Sequence, residues 1–184
     1  MGAFYVNDTV KLANQESVIK ALAGRKAFVS PEHSGAVVVF DQQSDSQDET
    51  AIAELAMHLS TALRCTVFAV LVHDSDVFWY QLYQDGKLSD QYNSTPDYWS
   101  DEAESSDPEG GDAARLCAAF HSGEVAAVEN ILRASEEDYP DAMDRHADLV
   151  RALHLPDYAV GYGFQDALRG DLPNGLSSEN MAAS

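Results

Sequence analysis

Two apolar runs constrain this chain more than any other feature: residues 35–41 (GAVVVFD) and 66–72 (TVFAVLV). A strand sends successive side chains to opposite faces, so a run that is apolar at nearly every position must be covered on both. Two such runs belong at the centre of one sheet, with the rest of the chain packed around them. The segment between them reads as a helix, with Ile52, Leu55, Leu59 and Leu63 on one face. Ser46 and Glu49 carry the spacing of a capping box at its start.

Residues 3–10 read as a first strand, and Asn14 as the N-cap of a helix over 15–23 that Gly24 closes. Residues 26–30 form a short second strand. Beyond the second apolar run come a polar turn (His73-Asp74-Ser75-Asp76), a fifth strand over 77–83, the hairpin dipeptide Asp85-Gly86, and a sixth strand over 87–92. The order is βαββαβ followed by a hairpin. It predicts an α+β fold: a ferredoxin-like sandwich, strand order 4-1-3-2, extended to 6-5-4-1-3-2. The hairpin protects a fourth strand that would otherwise be an apolar edge. The alternative places the third and fourth strands side by side and parallel, joined by one right-handed crossover.

Residues 1–96 make the core domain in this reading. Residues 97–112 are an acidic loop or linker, with seven acids and no base. Residues 113–170 are helical: Asp112 caps a first helix, a second covers about 124–134, and Pro140 and Pro156 suit the first positions of two more. The last of these closes at Gly170. Residues 171–184 show no pattern and are expected to be disordered.

Charge narrows the function. Thirty-one acids against 11 bases give a net charge of −20, which disfavours nucleic acid and anionic membranes as partners. An apolar fraction of 45% is that of a folded protein. Cys65 and Cys117 have no metal-ligand spacing and read as small buried hydrophobes. No signal peptide or membrane-span pattern occurs, so the expected compartment is the cytoplasm.

Two sets of side chains are candidates for a site. Asp41, Asp45, Asp48, Glu49, His73, Asp74 and Asp76 flank the ends of the third and fourth strands. Those ends lie about 10 Å apart in the ferredoxin-like order, two strand spacings. Carboxylates there suit a hard divalent cation, with Asp41, Asp45, His73, Asp74 and Asp76 as ligands; turn formation and helix capping favour the same residues. Among the aromatics, Trp79, Tyr83, Tyr98 and Trp99 suit a groove for a peptide or flat ligand; cross-strand pairing on the hairpin, covered by the acidic loop, is the favoured explanation of the whole set Trp79, Tyr80, Tyr83, Tyr92, Tyr98 and Trp99. His146 and His154 do not share a helix face. Gly161-Tyr162-Gly163 lacks the strand and third glycine of a dinucleotide fingerprint. No hydrolase, zinc-protease, P-loop or kinase signature occurs, which weighs against an enzyme.

The stretch HDSDVFWYQLYQDGKLSDQYNSTPDYW resembles the core of a family of uncharacterised bacterial proteins. That resemblance implies a bacterial cytosolic protein and no catalytic residues. The leading expectation is a non-enzymatic interaction or regulatory module that binds a protein partner or self-associates through a sheet face as a homodimer. The alternatives are a metal-dependent hydrolase or ligand-binding protein using the acidic edge, and an inhibitor or immunity-type protein for a basic partner.

Overall fold

The computed structural model describes residues 2–99 and 107–184. The sheet is built on β1 (Tyr5–Lys11), which pairs antiparallel with β4 (Thr66–His73) on one side and β3 (Ala36–Asp41) on the other. β3 pairs in turn with β2 (Ala27–Val29). Beyond β4 lies the hairpin of β5 (Val77–Gln84) and β6 (Lys87–Asn93). Asp85 and Gly86 both have positive φ, 48° and 76°, as its two-residue turn requires. Two short strands, β7 (Glu109–Gly110) and β8 (Ala182–Ala183), close the edges. The protein is α+β, with an eight-stranded antiparallel sheet in the order β7-β6-β5-β4-β1-β3-β2-β8. β3 and β4 run parallel but are separated by β1, and β4 is flanked on both sides.

Helices cover both faces. α1 (Gln15–Ala21) and α2 (Glu49–Leu63) press Val18, Leu22, Ile52, Leu55 and Leu59 onto the inward residues of β1, β3 and β4. On the other face, α3 (Ala113–Phe120), α4 (Val125–Arg133) and α5 (Ala142–Ala152) pack against Phe68, Val70, Phe78 and Tyr80. α6 (Phe164–Arg169) covers Val38 and Phe40. The alternation of β3 and β4 thus finds apolar partners on both sides. Both cysteines are buried and free.

Several local expectations are corrected. Asp48, not Ser46, caps α2: its side chain accepts from the Ala51 N–H, while Ser46 lies in a 3₁₀ turn and donates to the Gln43 carbonyl. Gln47, in the left-handed region, separates that turn from the helix. α5 begins after Asp141 rather than at Pro140. Pro156 opens only a 3₁₀ turn, Asp157–Ala159, and α6 starts after Gly163. A Cβ on Gly163 would sit 2.7 Å from Asp45 Oδ1 and 3.3 Å from Tyr5 Cβ, so glycine there permits the close approach. The acidic stretch 97–112 falls in part outside the described residues; its described end forms β7.

The last fourteen residues differ most from expectation. β8 pairs with β2, and Ser184 N–H donates to the Ala27 carbonyl. Leu176 is buried with Phe40 and Phe164, and Leu172 and Met181 pack against them. Three isolated apolar residues carry no period, but they fall where β3 and α6 leave an apolar hollow. Truncation after Gly170 is therefore expected to lower the melting temperature by about 5–10 °C, from a few kcal/mol of lost burial. A circular dichroism melt checks this; an unchanged melting temperature would show the tail contributes nothing.

Candidate functional site

The turn between β4 and β5 is the anchor of the site. Asp74 and Ser75 both take positive φ, 51° and 63°. Ser75 holds the amino-terminal segment: its Oγ accepts from the Ala3 N–H at 2.9 Å, and its N–H donates to the Ala3 carbonyl. On the other side, Thr95 Oγ1 donates to the Asp76 carbonyl at 3.0 Å, and Ser94 N–H to the Phe78 carbonyl. Three distant segments thus meet beside His73.

Their rings form one cluster. His73 meets Phe4 at 4.9 Å, Tyr98 at 5.4 Å and Trp99 at 5.3 Å, all edge-on, and Tyr98 meets Trp99 at 5.2 Å. Edge-to-face contact suits the ring quadrupoles. His73 Nδ1 donates to Gln47 Oε1 at 2.5 Å; the Gln47 amide is oriented by its own Nε2 donating to the Val72 carbonyl. Phe4, Tyr98 and Trp99 are 51%, 37% and 50% exposed. Three large rings gathered around His73 at that exposure make a surface patch, not scattered apolar residues. Between Trp99 and the start of α2 lies a cleft of about 490 Å³, lined by Gln47, Asp48, Glu49, Leu71 and His73.

The aromatic candidates divide. Tyr98 and Trp99 stand together in this cluster. Trp79 is nearly buried beneath α2 and lines a second hollow of about 270 Å³ over β5 and β6. Tyr83 is buried in the α2 layer, its hydroxyl donating to Gln81 Oε1, and burial raises its pKa.

The acidic candidates are engaged separately. Asp41 accepts from Arg25 Nε and Nη2 at 3.0 and 2.7 Å, and from the Gln43 and Ser44 N–H groups. Burial pushes its pKa up, but the Arg25 and Ser44 bonds outweigh this and hold it below the usual range. Asp45 turns to the other layer and accepts from the Phe164 N–H at 3.0 Å; burial, helped by the Asp166 charge, raises its pKa. Asp74 and Asp76 are exposed in the turn, and His73 is committed to the rings. Among the described residues, no group of three or more His, Cys, Asp or Glu side chains is arranged to hold a metal ion.

Three features lie outside the sequence candidates. Phe4 joins the cluster only because Ser75 ties residue 3 to the turn. His146 is fully buried, bonded to the Tyr5 hydroxyl at 2.7 Å, with its pKa depressed by burial to about 3. Asn7 and Asp8 sit side by side in the central strand and so point to opposite faces. Asn7 Nδ2 donates to the Ala159 and Tyr162 carbonyls; Asp8 is buried in the α1–α2 layer with neither carboxylate oxygen hydrogen-bonded. A polar pair inside a strand was the available signal for these two.

The chain matches no family model, no curated protein and no solved structure, so the resemblance of residues 73–99 stands without a matching family model. No helix among the described residues is long and apolar enough to cross a membrane.

Proposed function

We propose that this protein is a non-enzymatic interaction module that docks a basic segment of a protein partner on the cluster of Phe4, His73, Tyr98 and Trp99. The exposed four-ring cluster is the observation that carries the reading. The few residues that dominate binding energy in protein interfaces are enriched in tryptophan and tyrosine. The rim sets the partner's charge. Asp48, Glu49, Asp74, Asp76 and Asp97 are exposed and form no ion pair among the described residues. A guanidinium or ammonium group meets both the ring faces and this acidic rim. This joins the interaction-module reading to the inhibitor-type one, and the cytoplasm remains the proposed compartment.

In the same reading, β1–β4 with α1 and α2 form a ferredoxin-like sandwich, extended by the β5–β6 hairpin, and residues 113–170 belong to the same body as residues 1–96. Helices on both faces of the central strands direct the proposal away from a homodimer through a sheet face.

The test is a titration with an oligoarginine nonapeptide, followed by isothermal titration calorimetry. Saturable binding is expected, with Trp99→Ala weakening it about thirtyfold, the scale of an interface hot spot. Raising the salt concentration should weaken it further. Binding that Trp99→Ala leaves unchanged would show only nonspecific attraction to an acidic surface, and would remove the proposal.

A further inference from the structure

The cleft beside Trp99 continues inward. It shares Glu49 with the smaller hollow over β5 and β6. Leu71 and Trp79, direct partners in the β4–β5 register, form the floor between them. Both lie on the sheet face that α2 covers further along. Across the next pair, Gln81 stands opposite Gln91, and Trp79 opposite Asn93. The hollow is therefore floored by a row of neutral amides reaching from β5 to β6.

Among the described residues these amides use only part of their hydrogen-bonding capacity. Gln81 accepts the Tyr83 hydroxyl on Oε1, and Asn93 accepts the Thr95 N–H on Oδ1. Among the described residues their nitrogens have no acceptor, and the Gln91 side chain has no hydrogen-bond partner. A side-chain amide offers donors and an acceptor together. That matches the alternating C=O and N–H groups of an extended peptide, whereas a bare cation would leave the donors unused. At the far end Glu109 is exposed and forms no ion pair among the described residues.

We infer that the basic segment held at the aromatic cluster continues as an extended chain across β4, β5 and β6, its backbone hydrogen-bonded to the side-chain amides of Gln81, Gln91 and Asn93. The inference rests on the proposed docking of that segment at the four rings. Crossing from β4 to β6 takes two strand spacings, about 10 Å, or roughly three to four extended residues. Glu109, on β7, lies one strand spacing further, about 15 Å from β4, so a second cation four positions along from the first meets it. The partner is thus a flexible segment with two basic side chains separated by about three residues. A folded basic surface does not enter the passage.

Two probes separate the outcomes: N-acetylarginine amide, and a capped hexapeptide with arginine at positions 1 and 5 and glycine elsewhere. The hexapeptide is expected to bind at least tenfold more tightly. Gln91→Ala, at an exposed position where the fold is not at risk, should weaken the hexapeptide about threefold to tenfold and leave the single arginine unaffected. N-methylation of the three central peptide nitrogens should cause a loss of the same order. Trp99→Ala should weaken both probes. A hexapeptide that binds through Trp99 but ignores Gln91→Ala and N-methylation would overturn the extended path while leaving the aromatic site intact. Failure of both probes to bind, or binding indifferent to Trp99→Ala, would overturn both.

Discussion

Replacing Arg145 by alanine is expected to destabilise the fold by about 3–5 kcal/mol, a large share of the stability a single domain has to lose. Arg145 is 2% exposed and has no carboxylate partner among the described residues. Its charge is met instead by the end of α4. Nη1 donates to the Ile131 carbonyl and the Tyr92 hydroxyl at 2.8 and 2.9 Å; Nη2 donates to the Ala134 and Ser135 carbonyls at 2.9 and 3.1 Å. Those carbonyls lie in and just beyond the last turn of the helix, where unpaired C=O groups carry partial negative charge. The guanidinium also lies over the Tyr139 ring, 4.7 Å from its centroid. Truncation removes these bonds at once, strands buried acceptors and leaves a cavity. Arg145→Lys should recover only part of the loss, because one ammonium cannot match the spacing of a planar fork. Urea titration with an unchanged m-value checks both variants. A loss below about 1 kcal/mol for alanine would mean that water replaces the guanidinium.

Arg145 also marks the limit of what sequence patterning shows. The helical period puts Arg145 on the stripe of Ala142 and Leu149, but residue type assigns an arginine to water, and nothing within one helical turn announces acceptors at Tyr92 and at the end of α4. The central strands were legible for the opposite reason. Their signal, apolar residues at successive positions, is local and has one physical explanation. The same holds for the Asp85-Gly86 turn and the Asn14 and Asp112 caps, each of which acts over two or three residues. The Ser46 capping box failed although its spacing was right: one extra 3₁₀ turn moved the helix start to Asp48. The tail failed because Leu172, Leu176 and Met181 each pack alone against an existing hollow. At the candidate site, Tyr98 and Trp99 stood out as aromatics in an acidic stretch. Their joining to Phe4 and His73 depends on Ser75 and Thr95 hydrogen bonds that tie two distant segments to one turn.

Asp8→Asn is expected to make the protein more stable than wild type at pH 7 and less stable near pH 3. Asp8 faces the apolar layer beneath α1 and α2, between Val6 and Val10, with Val39 and Ala69 as its direct strand partners. Neither carboxylate oxygen is hydrogen-bonded. Burial pushes its pKa well above the usual carboxylate range; the Asp41 charge adds to this and Arg25 opposes it. A carboxyl whose pKa is higher folded than unfolded binds more protons in the folded state. Its contribution to stability is therefore fullest below the unfolded value and is lost as pH rises toward the folded one. The slope over that window approaches about 1.4 kcal/mol per pH unit. Asparagine carries no titrating proton, so it removes this slope, and the difference between the two proteins should grow with pH above about 4. Below it Asp8 is neutral folded and unfolded, and the asparagine instead brings two amide donors among apolar side chains, costing about 1–3 kcal/mol. The two stability curves should cross. Urea titrations at intervals from pH 3 to pH 8 measure the difference directly, with the Arg25–Asp41 pair common to both proteins. A constant offset across that range would mean that Asp8 is ionised in the fold and has a compensating partner.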